Sequence, residues 1–182
     1  MKPWRRLEAR RVEACKIFDL DHVRFERPEG VGSEWFYVVE SIDWINVIAI
    51  DDDHRVLMVR QYRFGIEDFT LEIPGGMCDP GEQPLESARR ELREETGFEA
   101  DRWDDLGWVH PNPPIQNNRC FTFLARGLRR VGDPRPDPNE AFEQMVVPLA
   151  DVSRLILERR ITHALVLAAF HRYQLFGEGS AG

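Results

Sequence analysis

The chain has 182 residues, 42% hydrophobic and 31% charged, with a formal net charge of −8. That length and composition fit one globular domain with a short N-terminal attachment, large enough to bury a core. The acidic balance argues against a nucleic-acid partner, which needs a basic face; with no run of 18 apolar residues and no apolar stretch after the basic start, neither membrane insertion nor secretion is expected.

Residues 15–25 alternate apolar and polar side chains, and after turn-forming residues 28–32 the stretch 35–39 reads as a second strand; together they predict an antiparallel pair. The dense apolar run 44–50 predicts a buried strand, and the turn Asp51-Asp52-Asp53-His54 leads to another at 56–63. A short strand at 69–73 stops at Pro74-Gly75-Gly76. Pro84 then opens the clearest helix, because proline is tolerated in a first turn and strong helix formers follow. Gly97 closes it. Strands are predicted at 106–110, 119–125 and 142–147, separated by proline-rich loops at 111–114 and 133–138. Two amphipathic helices, 150–159 and 162–176, precede a tail, 177–182, expected to be disordered. This order predicts an α/β fold with a mixed sheet sandwiched between helices. An N-terminal strand region, residues 1–43, precedes a domain spanning 44–176. Cys15, Cys78 and Cys120 match no zinc or disulfide spacing, so reduced thiols in a cytoplasmic protein are expected.

Residues 76–98 carry the chemistry: GMCDPGEQPLESARRELREETGF. On a helix Glu91 and Glu95 are i,i+4 neighbours, and Glu94 stands beside Glu91 at i+3. Three carboxylates on one face repel one another unless a cation offsets the repulsion. Hard divalent ions such as Mg²⁺ take oxygen ligands and bridge carboxylates to phosphates. Arg90 is placed to hold Glu86 or Glu94 at i±4, Leu92 falls on the opposite side as an anchor, and the Gly75-Gly76 turn leaves room for a backbone carbonyl to approach the same ions. For any single glutamate the alternative is a solvated, salt-bridged helix face.

The whole segment resembles the Nudix box, G-x5-E-x7-R-E-U-x-E-E-x-G-U with U apolar, at every fixed position. With average residue usage a chance match at one register is on the order of 10⁻⁹. The likeness extends through Trp44-Ile45-Asn46-Val47, Gln61-Tyr62-Arg63, Leu71-Glu72-Ile73-Pro74-Gly75-Gly76 and Pro113-Pro114-Ile115-Gln116-Asn117-Asn118-Arg119-Cys120. These are similar to the branch that includes ADP-ribose pyrophosphatases and nucleoside diphosphate sugar hydrolases.

That resemblance implies the Nudix α/β/α sandwich and a homodimer whose N-terminal strands help complete the partner's site. It implies a Mg²⁺-dependent pyrophosphohydrolase, with Mn²⁺ able to substitute, acting on ADP-ribose, GDP-mannose or a similar nucleotide sugar. The products would be a nucleoside monophosphate and a sugar phosphate. By position, Glu91 and Glu95 would be the main metal ligands, Glu94 a ligand or a base, and the Gly75 carbonyl a further ligand beside Gly76. Glu82 would support the helix through Arg90 or reach an outer metal. The general base in this branch often comes from a late loop, where Glu140 is the first candidate and Glu143 the second. Ala141 replaces the second acid that the pattern commonly carries there. Two rivals remain: a nucleoside triphosphate or dinucleoside polyphosphate hydrolase, and a non-catalytic nucleotide sensor.

Substrate contacts are more open. Arg60 and Arg63 fall on opposite faces of one strand, and Arg63, in the Gln-Tyr-Arg motif, is the candidate phosphate clamp against a structural ion pair. Glu72 would contact substrate, orient the glycine turn, or be a plain strand acid. Trp44 would stack on a nucleobase or pack in the core. Asn117, Asn118 and Arg119 would read a sugar or phosphate, or close an Asx-type turn. His163 and His171 have no ligand spacing, and packing or surface roles are expected.

Overall fold

Along the chain, strands β1 (Arg5–Ala14), β2 (Asp19–Glu26) and β3 (Ser33–Glu40) come first, followed by β4 (Trp44–Ile50), β5 (Arg55–Arg63), β6 (Asp68–Glu72) and β7 (Gly75–Met77). Helix α1 (Pro84–Thr96) leads to β8 (Phe98–Val109), β9 (Cys120–Arg130) and β10 (Phe142–Pro148), and then to α2 (Val152–Leu157) and α3 (Ala164–Gly179). The computed structural model describes residues 1–135 and 142–179, with Phe142, Glu178 and Gly179 described by backbone alone; Glu140 and Ala141 lie outside the described residues. The chain divides into two units, one of residues 1–42 with 110–119, the other of residues 43–109 with the chain from 120 onward.

In the second unit a mixed sheet of order β10-β5-β4-β9-β8 runs through the middle, with β4 and β9 parallel and the other pairs antiparallel. β4 is buried because both its faces are covered. Ile45, Val47 and Ala49 pack with Leu57, Phe123, Ala88 and Leu92, under α1. Ile48 and Ile50 pack the other way, with Met58, Leu124, Leu155, Val166 and Phe170, under α2 and α3. A strand covered on both faces reads as a continuous apolar run, which is what residues 44–50 present. The result is the helix–sheet–helix sandwich expected.

β4 and β5 pair at Ala49↔Leu57 and Ile50↔Val56 and then part. Beyond that point β5 takes β6 as its neighbour while Trp44, Ile45 and Asn46 of β4 take β7. The Val47 amide closes the gap by donating to the Pro74 carbonyl at 2.8 Å. This parting of two central strands sets the Gly75-Gly76 segment inside the sheet as a short strand rather than a free turn. β8 is longer than expected, starting at Phe98, because it is the sheet's edge and its outer residues are polar. The helix expected at 150–159 is a 3-10 turn, Leu149–Asp151, followed by the short α2.

In the first unit β1, β2 and β3 form an antiparallel sheet, to which Gln116 adds a bridge at Val39. Val23 is fully buried, and Phe25 and Trp4 set their rings edge-on to Phe36. The other side stacks His22 on Tyr37, with the Arg10 guanidinium over Trp35. The expected antiparallel pair is β2 with β3, and β1 is an additional strand.

Candidate functional site

α1 separates two kinds of residue. Ala88 and Leu92 are fully buried against the sheet, and burying a leucine of this kind is worth about 1.5–3 kcal/mol. The charged side presents Glu91, Glu94 and Glu95. These three are not equivalent: Glu95 is only 3% exposed, the Glu91 side chain 15% and the Glu94 side chain 47%. Glu95 accepts a hydrogen bond of 3.0 Å from the Gly75 amide. The Glu91 carboxylate lies where a Cβ on residue 76 would stand, so only glycine at 76 leaves that carboxylate in place. The two more enclosed of these three carboxylates thus rest against adjoining residues of β7.

Arg90 sits at the centre of the charges. Its Nη1 donates to Glu91 at 2.7 Å and to Glu94 at 3.3 Å, and its Nη2 to Glu82 at 3.1 Å and to the Met77 carbonyl at 2.9 Å. Glu86 is taken by Arg89 instead, at 2.9 Å. Burial opposes the Arg90 charge, but its bonds to Glu82 and Glu91 outweigh that and hold its pKa above the ordinary value. Glu82 is likewise drawn below the ordinary carboxylate range: burial works against its charge, and bonds from Arg90 and the Ser87 hydroxyl prevail. Among the described residues no three His, Cys, Asp or Glu side chains converge in a metal-binding group. Glu91 and Glu94 are turned toward the Arg90 guanidinium. The donor set nonetheless suits a hard divalent cation: carboxylate oxygens on adjoining turns of one helix, two of them against a turn whose residue 76 must lack a side chain.

A cavity of about 370 Å³ opens beside the last turns of α1, lined by Arg90, Arg93, Glu94 and, across from them, Val131, Asp133 and Arg135. The far wall is fixed to the helix, because the Val131 amide donates to the Gly97 carbonyl at 2.8 Å and the Arg135 amide to the Glu94 carbonyl at 2.7 Å. Glu140, the first candidate for a base, lies outside the described residues. Glu143 is exposed on β10, 3.8 Å from Arg60. It shares a strand face with Met145 and Val147, which pack toward α2 and α3, whereas Gln144 between them reaches α1.

Arg63 donates from both Nε and Nη2 to the Glu72 carboxylate, each at 2.7 Å, and the Thr70 hydroxyl donates to the same group. His163, for which the sequence predicts only a packing or surface role, brings its Nδ1 within 3.5 Å of Glu72. Burial favours a neutral Glu72, yet Arg63 holds its pKa below the usual range. Trp44 is half-buried at the start of β4, between Met77 and Cys120. Asn118 and Arg119 belong to the first unit, where Asn118 is buried and donates to the Ile42 carbonyl at 3.1 Å while Arg119 is exposed. Asn117 accepts there from the Ser41 amide at 2.9 Å.

Comparison with known proteins agrees with this architecture. The NUDIX domain description matches residues 43–170. The chain is 32% identical to the ADP-ribose pyrophosphatase of Bacillus subtilis (strain 168) across 88% of this chain and 86% of that protein. It is 35% identical to the ADP-ribose pyrophosphatase of Mycobacterium tuberculosis (strain ATCC 25618 / H37Rv), across 84% of this chain and 74% of the other. A solved structure described as an ADP compounds hydrolase superposes with a TM-score of 0.85 over 99% of this chain and 97% of its own; at 24% identity it speaks for the fold.

Proposed function

The chain belongs to the NUDIX family, and on that premise we propose that it is a metal-dependent pyrophosphohydrolase dividing nucleoside diphosphate sugars, ADP-ribose foremost, into a nucleoside monophosphate and a sugar phosphate. The observation that carries this reading is the pair Glu91 and Glu95 resting on the Gly75-Gly76 turn, with Arg90 and Glu82 braced behind them. Glu91, Glu95 and the Gly75 carbonyl would hold Mg²⁺, or Mn²⁺ in its place, with Glu94 as a further ligand or a base. When bound, the ion neutralises diphosphate oxygens and makes an attacking water more acidic.

The chain's own groups do the rest. Arg90 orients Glu91 and Glu94, and Glu82 holds Arg90. Glu140 would remove the proton from the attacking water. Glu143 is the weaker choice, since its strand face is shared with residues packed away from α1. The Arg63–Glu72 pair favours a bracing role at the end of β6, just ahead of the glycine turn, over a direct phosphate clamp. Trp44 and Arg119 are the proposed contacts to base and phosphate, with Asn118 fixing the backbone beside Arg119. The exposed apolar residues of the first unit support a homodimer. No helix among the described residues is long and apolar enough to cross a membrane, and free thiols at Cys15, Cys78 and Cys120 suit a reducing cytoplasm.

The test is a panel of nucleotide sugars incubated with the protein and Mg²⁺, with products identified by mass spectrometry. ADP-ribose should give AMP and ribose 5-phosphate. Inorganic pyrophosphate from nucleoside triphosphates as the dominant product would overturn the substrate class. Glu91→Gln should lower kcat by at least about 10²-fold, the scale of losing one electrostatic stabiliser, with the thermal midpoint little changed. Near-normal turnover at saturating Mg²⁺ would remove Glu91 from the ligand set.

A further inference from the structure

The charges around the cavity at the end of α1 do not cancel. Arg90, Arg93 and Arg135 line it against two acids, Glu94 and Asp133. Both acids already have partners. Glu94 is held by Arg90 at 3.3 Å, and Asp133 by Arg130, which does not line the cavity, at 2.9 Å. Arg93 reaches only Glu99, at 3.7 Å, and Glu99 has a closer partner in Arg129 at 3.0 Å. Arg135 forms no ion pair among the described residues. Two guanidinium groups are thus left to the cavity, in a chain whose net charge is −8.

We propose that Arg93 and Arg135 form an anion subsite for the sugar-phosphate end of the substrate. This rests on the reading of the protein as a nucleotide-sugar pyrophosphohydrolase. Guanidinium forks match phosphate oxygens with paired donors. A volume of about 370 Å³ falls in the range of small-molecule sites and exceeds what one phosphate fills, leaving room for the attached sugar. Glu94 belongs both to the cavity wall and to the carboxylate row, and one nitrogen of Arg90 bonds it together with Glu91. A diphosphate held at the row therefore has one phosphate beside the cavity. Trp44, the proposed base contact, pairs with Cys120, the first residue of β9, whereas Val131, Asp133 and Arg135 follow the last, Arg130. The nucleotide is thereby assigned to one end of β9 and the sugar phosphate to the other. Backbone bonds from Val131 and Arg135 to α1 already hold the wall, so binding does not have to order it.

Arg93→Gln combined with Arg135→Gln removes both forks from exposed positions. The expected result is a KM for ADP-ribose at least about 10-fold higher, with kcat within about threefold of the parent. Inhibition by ribose 5-phosphate should weaken by at least about 10-fold, and inhibition by AMP by less than about twofold. The single variants should share the effect, and they decide the matter if the double variant unfolds. Arg154→Gln, on α2 and paired with Glu158, removes a charge elsewhere and should leave all these constants unchanged. An unchanged KM, or unchanged inhibition by ribose 5-phosphate, overturns the subsite. AMP inhibition weakened as much as that by ribose 5-phosphate overturns its assignment to the sugar-phosphate end. Calorimetry in EDTA separates the subsite from its premise: ribose 5-phosphate should bind the parent and not the double variant, whether or not ADP-ribose is hydrolysed. Failure of the parent to bind it overturns the subsite; binding without any hydrolysis of nucleotide sugars overturns the premise instead.

Discussion

Glu72 is a carboxylate kept charged at 3% exposure by its neighbours, and its setting makes stability depend on pH. Burial pushes its pKa up, but the bonds from Arg63 pull it below the ordinary 4.5. His163 beside it goes the other way: burial lowers its pKa from 6.5, and the attraction of Glu72 does not restore it. Below pH 6.5 the unfolded chain therefore takes up a proton on His163 that the folded chain refuses, so folding weakens as pH falls from there. Glu72 adds stability that is complete above 4.5 and is lost as pH falls through its lower folded value. Both groups make acid destabilising, in successive windows. Thermal midpoints measured from neutral pH downward should decline in two stages, and His163→Gln should abolish the upper stage while leaving the lower. An upper stage of undiminished size in that variant would mean that His163 is not its source.

The end of α1 is where one element holds another. Gly97 has φ 74°, and its amide returns to the Arg93 carbonyl at 2.8 Å. A Cβ there would run into the Gly132 carbonyl. Gly97→Ala should cost about 1–2 kcal/mol for the left-handed backbone alone and more for the displaced 131–133 stretch, read as a lower urea midpoint. A midpoint equal to the parent's would show that the wall of the cavity yields freely. α1 was the most legible element in the sequence because its signals are local: Pro84 opens it, Gly97 ends it, Leu92 anchors it, and its carboxylates lie one turn apart. β1 gave no such signal, since an edge strand with nearly every residue exposed carries Arg5, Arg6, Arg10 and Arg11 where a pattern would need apolar positions. The short strand β7 reads as a turn because its pairing arises only when β4 and β5 part. Arg63 with Glu72, His163 and Gln144 depend on strand register and on packing between distant segments, neither of which is written in residue spacing. The box and the Arg90 brace to Glu82 and Glu94 could be read from the sequence; the contacts from distant segments could not.

At the scale of the molecule, the first unit poses a problem of solvation. Its sheet leaves Val12 50% exposed, Tyr37 59% and Phe36 43%. Its arginines are largely neutralised within the sheet, Arg5 by Glu26, Arg6 by Glu40 and Arg11 by Asp19 and Asp21. What the sheet offers outward is therefore more apolar than its composition suggests, and β1 is also an edge with unpaired backbone groups. The open β1 edge and these exposed apolar side chains are where a second copy of the chain, the partner that the family resemblance implies, would dock. Light scattering should give twice the 21.2 kDa chain mass, and Val12→Glu combined with Tyr37→Glu should return it to a single chain. If the paired copy also completes the site, kcat/KM for ADP-ribose should fall together with the mass. A parent protein that stays at one chain mass at every concentration would overturn the dimer; single-chain variants with full activity would keep the dimer and overturn the shared site.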